Sequence, residues 1–317
     1  MKTVLVALPV EDRHKKLLEA AAPECEVIYC GTRPDRELVQ KASVIVGNIP
    51  ADLIQASPAL ELLQLSSAGT DAYIVSGVLA KSTVLTNATG AYGKAVSEHA
   101  FAMALMLQKK LHLYRDAQNA HTWTDRGTVC SMGDATVLVV GLGDIGLRFA
   151  RMCKAMGAHT IGVKRRPGDC PEGVDELWLT DKLDELLPRA DVVASFLPGT
   201  GDTRGMYDGE RFSRMKPGAV FINCGRGNAV NAEALAEALE SGRLGAAGID
   251  VTDPEPLPED SPLWAIENLV ITPHVSGFYH LPETFERIVE IAAENLGHWS
   301  RGETLRNIVD FKTGYKV

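Results

Sequence analysis

Residues 134–146 read Asp134-Ala-Thr-Val-Leu-Val-Val-Gly141-Leu-Gly143-Asp144-Ile145-Gly146. A short β-branched run leads into a Gly-x-Gly-x-x-Gly motif, an amphipathic segment of helical period follows, and a second apolar run covers residues 160–163. This order predicts a strand, a tight turn, a helix and a second strand, which is the unit that holds a dinucleotide. In such a unit Gly141 permits the turn, Gly143 lets the backbone approach a pyrophosphate, and Gly146 lets the helix pack closely on the strand. The N–H groups around Asp144 and Ile145 then point at the anion from a helix N-terminus.

The end of the second strand indicates which dinucleotide is bound. A site for NAD(H) usually has an acidic residue there, which accepts a hydrogen bond from the ribose 2′-hydroxyl. This chain has Lys164, Arg165 and Arg166 instead. Because guanidinium groups bind phosphate and an acid would repel it, the sequence favours NADP(H), with NAD(H) as the alternative and a solvated basic turn as a third interpretation.

Length, composition and net charge indicate the number of domains and argue against several other classes of function. The chain has 317 residues, 45% of them hydrophobic, which is enough for two domains. A net charge of −9 argues against a nucleic-acid surface, and no apolar run approaches a membrane span. The six cysteines show no disulfide-like or metal-binding spacing, so we expect free thiols in a reducing cytoplasm and no metal site.

Residues 1–90 alternate apolar runs with polar, helix-compatible stretches. The predicted strands are 4–8, 26–30, 44–47, 60–65 and 83–86. Strands that alternate with helices indicate a parallel sheet covered on both faces. A continuous helical pattern then runs from Gly93 to about Gln118, and we expect a single long helix that crosses between domains, lines a dimer interface or packs in the core.

The second half continues the dinucleotide unit. Its predicted strands are 191–196, 219–223, 246–251 and 269–272, with helices near 181–187, 208–214 and 231–241, which completes a doubly wound sheet. One more helical pattern, 282–301, follows without a new set of strands. Since a single helix cannot bury itself, we expect residues 1–95 and 280–317 to form one domain and residues 96–279 the dinucleotide-binding domain.

Three motifs follow strands of the second half and carry side chains suited to catalysis. Arg226 lies between two glycines in Asn223-Cys-Gly-Arg-Gly, Glu255 lies between two prolines, and His274 follows Thr272-Pro. Each motif alone also has a structural interpretation, such as a loop ion pair, a turn or a helix cap.

Together these motifs resemble the D-isomer-specific 2-hydroxyacid dehydrogenase family. The resemblance covers nearly the whole chain and rests on Ser67-Ala68-Gly69-Thr70-Asp71, Val96-Ser97-Glu98-His99, the 141–146 fingerprint, Leu197-Pro198, Asn223 to Gly227, Asp250 with Glu255, and Thr272-Pro273-His274. It implies an α/β fold in which a doubly wound Rossmann domain is inserted in a flavodoxin-like α/β substrate domain, and a homodimer.

The resemblance also implies residue roles. Arg226 would bind the substrate carboxylate and polarise the carbonyl, with the backbone amides of Ala68 and Gly69 as a second carboxylate clamp. His274 would protonate the developing alkoxide, and Glu255 would orient its ring and stabilise its protonated form. The implied cofactor contacts beyond the glycine loop and the basic cluster are Leu197, Pro198, Thr203, Cys224, Asp250, His274 and Gly277. The chain departs from the family's usual pattern after Pro198, where Gly199-Thr200-Gly201 puts the adenine contacts in doubt.

The favoured function is therefore an NADPH-preferring reductase that converts a small 2-keto acid to the D-2-hydroxy acid, or the reverse. Two alternatives come from the same family: phosphoglycerate dehydrogenase and phosphite dehydrogenase. A third is a different class of protein, a non-enzymatic corepressor that senses a dinucleotide. The corepressor would bind its partner even after an Arg226→Ala change.

Overall fold

Apolar runs alternating with polar helices produce two sheets whose named strands all pair in parallel. The computed structural model describes residues 1–55, 57–312 and 314. Contacts between Cα atoms divide the chain into one unit of Met1–Tyr92 with Leu281–Val317 and a second unit of Gly93–His280.

The first unit contains a five-stranded sheet in the order β2-β1-β3-β4-β5. This is the flavodoxin-like order, in which strand order reverses once near the middle of the sheet. Its strands are β1 Lys2–Val6, β2 Cys25–Tyr29, β3 Val44–Val46, β4 Leu62–Gln64 and β5 Val84–Thr86, and its first helices are α1 Asp12–Ala21, α2 Arg36–Lys41 and α3 Ala51–Ile54. Leu5, Ile45 and Leu63, on three adjacent strands, have no exposed side-chain surface and form the centre of this core.

The second unit opens with two helices, α4 Gly93–Gln108 and α5 Leu111–Asn119, where the sequence predicts one. That prediction is wrong, because Lys110 has a φ of 56° and cannot continue a right-handed helix. Its amide donates to the carbonyl of Leu107, which ends the first helix.

A seven-stranded sheet follows, in the order β12-β11-β10-β9-β6-β7-β8. Its strands are β6 Thr136–Val140, β7 His159–Lys164, β8 Glu176–Leu179, β9 Val192–Ser195, β10 Ala219–Asn223, β11 Leu244–Ile249 and β12 Leu269–Ile271; its helices are α6 Asp144–Ala155, α7 Leu183–Leu186, α8 Gly209–Arg214 and α9 Ala232–Glu240. The order reverses between β6 and β9, as in doubly wound dinucleotide-binding sheets, where ligands bind at the carboxyl ends of the strands beside this point. The predicted fold class is confirmed.

The last helix, α10 Pro282–Arg301, belongs to the first unit and packs against α1. Arg13 and His14 of α1 both contact the carboxylate of Glu286 on α10, with His14 Nε2 3.1 Å from Oε2. Since His14 is 3% exposed, this contact lies largely inside the unit and ties the two helices together.

Among the described residues, no helix is both long enough and apolar enough to cross a membrane.

Edge strand β8 was not predicted, and Glu176 ties it to the rest of the unit. Both nitrogens of the Arg189 fork contact its carboxylate, and His159 Nε2 lies 2.8 Å from Oε1. Hydrogen bonds from Arg189 and then His159 lower the pKa of Glu176 to about 2. Because the folded-state pKa is depressed, the ionised carboxylate stabilises the fold above the ordinary pKa of about 4.3, and this stabilisation is lost as the pH falls toward 2.

We expect Glu176→Gln to lower the free energy of unfolding by about 1 kcal/mol at pH 7, after allowing for the partial solvent exposure of the pair. The difference from wild type should shrink to roughly half at pH 3, since about half of the linkage has then been titrated. Denaturant unfolding at both pH values measures this effect. Glu172→Gln, an exposed residue of the same segment, is the charge-matched control. A deficit that stays constant with pH would show that the ion pair does not cause it.

Candidate active site

The glycine loop connects β6 to α6 at the reversal of strand order. Gly141 has a φ of 97°, and a Cβ there would lie 2.9 Å from the carbonyl carbon of Phe196. A Cβ at Gly146 would lie 2.2 Å from the carbonyl oxygen of Gly141, so no larger residue allows the helix to start this close to the strand. A Cβ at Gly143 would have no atom of the described residues within 4 Å, which leaves open space above the turn.

The first turn of α6 has the character of an anion site. Gly143 caps the helix without a side-chain hydrogen bond, so its first amides are not covered by a capping side chain. Asp144 Oδ1 accepts from Arg148 Nε at 3.0 Å, and this ion pair offsets part of the carboxylate charge. The loop therefore fits the pyrophosphate of a dinucleotide.

The basic cluster lies where β7 ends. Lys164 is the last residue of that strand and is partly buried, whereas Arg165 and Arg166 are exposed. Because β7 neighbours β6, these cations follow the strand next to the glycine loop. This is the position from which a side chain reaches the adenosine ribose in Rossmann domains.

In the loop after β9, the side chain of Thr203 forms its hydrogen bonds within the loop itself. Leu197 and Thr203 are buried, and Thr203 Oγ1 donates to the carbonyl of Pro198 at 2.6 Å while accepting from the amide of Thr200 at 2.9 Å. The hydroxyl predicted to touch the cofactor is thus engaged inside the loop. Its cofactor contact stays a prediction.

Arg226 is held by a rigid loop after β10. The buried side chain of Asn223 accepts from the amide of Gly225 and donates to the carbonyl of Arg226, both at 3.1 Å. A Cβ at Gly225 would lie 2.4 Å from the carbonyl oxygen of Leu197. The guanidinium donates to the carbonyl of Gly225 at 2.8 Å. These contacts hold the loop backbone around Arg226 and give the guanidinium one backbone partner.

Gly227 brings the loops after β10 and β11 together. A Cβ there would lie 1.9 Å from the backbone oxygen of Thr252, and backbone cannot move aside as a flexible side chain does. We therefore expect Gly227→Ala to lower the free energy of unfolding by roughly 3 kcal/mol. Gly209→Ala is the matched control, because its Cβ would be 4.0 Å from the nearest atom. Thermal unfolding of both variants tests this; equal midpoints would contradict the close approach.

Glu255 and His274 come together from the loops after β11 and β12. His274 Nδ1 lies 2.8 Å from Glu255 Oε2, and Glu255 Oε1 accepts from the amide of Thr252 at 3.1 Å. The histidine side chain is 49% exposed. Since Nδ1 is paired with the carboxylate, Nε2 is the ring nitrogen left to exchange a proton with a substrate.

Asp250 and Cys224 lie deeper in the same unit. Asp250 is 1% exposed, and its carboxylate accepts from the amides of Val275 and Ser276, which directly precede Gly277. Burial raises the pKa of the Cys224 thiol well above its ordinary range. A thiol kept protonated is a poor nucleophile, and the contact of the Cys224 backbone with the cofactor stays a prediction.

Ala68 and Gly69 belong to the first unit, in a loop between β4 and β5. Their carbonyls accept from Asn87 Nδ2 and Ser67 Oγ, at 2.8 and 2.7 Å. No hydrogen bond joins their amides to another residue of the described chain. Among the described residues the two amides thus have no hydrogen-bond partner, and their contact with substrate stays a prediction. Within residues 1–55, 57–312 and 314 no group of three metal-ligating side chains is found.

Comparison with known proteins agrees with this fold. Residues 101–276 match the D-isomer specific 2-hydroxyacid dehydrogenase NAD binding domain. The chain belongs to the D-isomer specific 2-hydroxyacid dehydrogenase family, as its motifs predicted.

Individual relatives carry several names. D-3-phosphoglycerate dehydrogenase from Mycobacterium leprae is 34% identical over 83% of this chain, a stretch that spans only 47% of that enzyme. A family member of known structure from Aeromonas salmonicida is 32% identical, with a TM-score of 0.85 over 98% of this chain and 99% of its own. An NADPH-dependent glyoxylate/hydroxypyruvate reductase from Sinorhizobium meliloti, solved with NADP and sulfate, is 27% identical, with a TM-score of 0.83 over 99% of this chain and 100% of its own.

Proposed function

We propose that this protein is an NADPH-preferring oxidoreductase that reduces a small 2-keto acid to the D-2-hydroxy acid, or catalyses the reverse reaction. The observation that carries the proposal is the 2.8 Å pairing of His274 Nδ1 with Glu255, in the unit that also holds the glycine loop and Arg226. A histidine fixed at one nitrogen by a carboxylate is suited to transfer a proton at the other.

The bound nicotinamide supplies the hydride in this reaction. His274 Nε2 donates a proton to the oxygen of the reduced carbonyl, and Glu255 stabilises the positive charge on the ring before that transfer. Arg226 binds the substrate carboxylate and favours the negative charge that develops on the carbonyl oxygen. In the oxidative direction His274 accepts the same proton.

The preference for NADPH rests on the cations at the end of β7. A 2′-phosphate carries close to two negative charges, and Lys164, Arg165 and Arg166 offer three positive ones at the position where an acid would serve NADH. The reductase from Sinorhizobium meliloti, which is described as NADPH-dependent, agrees with this choice.

We also propose that the protein acts as a homodimer in a reducing cytoplasm. Support for the dimer comes from large apolar side chains exposed on α5 and in the segment after it: Leu111 is 53% exposed and Trp123 is fully exposed. Exposed apolar groups of this kind are often covered by a partner chain.

Initial rates with NADPH and NADH, measured with 2-keto acids from glyoxylate to phenylpyruvate, test the proposal. We expect turnover with NADPH, and the best keto acid identifies the substrate class. In the Arg165→Gln/Arg166→Gln variant the KM for NADPH should rise by about tenfold or more while the KM for NADH changes little. Equal use of both cofactors by the wild type would remove the phosphate-binding role and leave the chemistry standing.

The same assay separates the alternatives. Oxidation of 3-phosphoglycerate, with no reduction of simple keto acids, would favour the activity named in the Mycobacterium leprae relative. Oxidation of phosphite would favour phosphite dehydrogenase. NADPH binding without any turnover would favour the non-enzymatic corepressor.

A further inference from the structure

The loop that carries His274 is organised around one buried carboxylate. Asp250 Oδ1 accepts from the amide of Val275 at 3.0 Å, and Oδ2 accepts from the amide of Ser276 at 3.1 Å. The backbone carbonyl of Asp250 accepts from the amide of His274 itself at 2.8 Å. Three successive amides, 274 to 276, therefore converge on a single residue.

The backbone of His274 needs this support. Its φ is 52°, in the left-handed region that residues other than glycine rarely adopt. Such a conformation persists only where surrounding contacts enforce it. The backbone that carries the imidazole is thus held by Asp250, through its carbonyl at residue 274 and through its carboxylate at residues 275 and 276.

Two further side chains connect to that carboxylate, one of them from a distant helix. Thr272 Oγ1 lies 2.6 Å from Asp250 Oδ1. His99, on α4, places Nε2 3.1 Å from Thr272 Oγ1 and 3.9 Å from Asp250 Oδ1. All of these residues belong to the second unit.

The donor in each of these two side-chain hydrogen bonds can be assigned. Carboxylate oxygens act as hydrogen-bond acceptors, and Asp250 Oδ1 and Oδ2 each accept from a backbone amide, so we assign the Thr272 hydroxyl as the donor to Asp250. The threonine oxygen is then an acceptor toward the histidine, which requires a proton on His99 Nε2. The series of hydrogen bonds therefore runs from His99 to Thr272 to Asp250, and each donor polarises the next.

We propose that His99 and Thr272 are positioning residues for His274, acting through the Asp250 carboxylate. Thr272 fixes one oxygen of the Asp250 carboxylate. His99 fixes the rotation of the Thr272 hydroxyl, and it also places an N–H donor close to that buried carboxylate. The effect on catalysis rests on the proposed function, because it assumes that His274 transfers a proton. The effect on loop order does not.

Two matched pairs of variants test the proposal. Thr272→Val removes the hydroxyl at nearly constant shape, whereas Thr272→Ser keeps it. His99→Phe removes the donor, whereas His99→Gln keeps an N–H on a side chain of similar reach. The double variant His99→Phe/Thr272→Val asks whether histidine acts through threonine.

The first readout is hydrogen exchange of the amides of residues 274–276, measured on the whole protein without ligands. Exchange should become about tenfold faster in Thr272→Val and about threefold faster in His99→Phe, with Thr272→Ser and His99→Gln close to wild type. The second readout is steady-state kinetics with NADPH and the best keto acid. There kcat should fall by similar factors while the KM for NADPH changes less than kcat, and the double variant should be no slower than Thr272→Val alone.

Unchanged exchange at residues 275 and 276 in both Thr272→Val and His99→Phe would overturn the proposal. The proposal would also be overturned if the fold decrease in kcat of the double variant equalled the product of the decreases in the two single variants. If Thr272→Val fails to fold, His99→Phe carries the test, because it leaves the hydrogen bond between Thr272 and Asp250 unaltered. Faster exchange in a protein that reduces no keto acid would leave the positioning role intact and remove the proposed function.

Discussion

Replacing His274 by alanine should lower kcat by about a thousandfold in the NADPH-dependent reduction of the best keto acid. The variant loses the group that we propose transfers the proton, while the glycine loop and Arg226 are untouched. Stopped-flow or steady-state oxidation of NADPH measures the change, and fluorescence titration with NADPH should give a Kd within a few-fold of wild type. A His274→Ala protein that keeps more than a tenth of the wild-type kcat would rule out His274 as the proton donor.

Glu255→Gln is the companion variant. Glutamine keeps a hydrogen-bond partner near Nδ1, 2.8 Å from the present carboxylate oxygen, but removes the charge that stabilises the imidazolium. We expect a smaller loss of kcat, on the order of tenfold to a hundredfold, because the imidazolium loses the negative charge beside it. The pH dependence of kcat separates a charge effect from a packing effect, because a packing defect would lower the rate equally at every pH.

Much of this fold could be predicted from the sequence, since the decisive signals are local. The β-branched run before Gly141 and the helical period after Gly146 lie within one short segment, and they predicted β6, α6 and β7. The parallel, doubly wound class followed from repetition of that pattern, and the family followed from the motifs that come after the strands. Both are confirmed.

The two errors in the fold arise where local pattern is uninformative. The left-handed Lys110, which separates α4 from α5, has no signal because lysine is a good helix former and the apolar period continues beyond it. Strand β8 lies at the sheet edge, where its residues 176–179 are all at least partly exposed. An edge strand of that kind lacks the continuous apolar character by which its buried neighbours were predicted.

The site shows the same limit. Arg226, Glu255 and His274 were predicted because each follows a strand, and adjacent parallel strands end at one edge. The roles of these three residues stay predictions. The link from His99 to Thr272 was missed because 173 positions separate the two residues, and neither belongs to a pattern that refers to the other. In the sequence, His99 contributed only to the motif Val96-Ser97-Glu98-His99 on which the family resemblance rests.

The second large effect concerns Arg226. We expect Arg226→Ala to lower kcat/KM for the keto acid by roughly a thousandfold, because in the proposed reaction one guanidinium both binds the carboxylate and stabilises charge on the carbonyl oxygen. Arg226→Lys keeps the charge but cannot form the planar, two-point contact, so it should recover less than a tenth of the lost activity. Steady-state kinetics of the two variants, with NADPH saturating, measures the difference.

The loop around Arg226 makes this comparison informative. Its backbone is fixed by Asn223 and by glycines that pack against Leu197 and Thr252, so truncation of the side chain should leave the loop in place. Added guanidinium ion should then restore part of the activity of Arg226→Ala and none of the activity of Arg226→Lys, whose side chain occupies the same space. Unchanged kcat/KM in Arg226→Ala would refute the carboxylate-binding role. A different outcome would favour the corepressor: the wild type shows no measurable turnover, and Arg226→Ala still binds a protein partner.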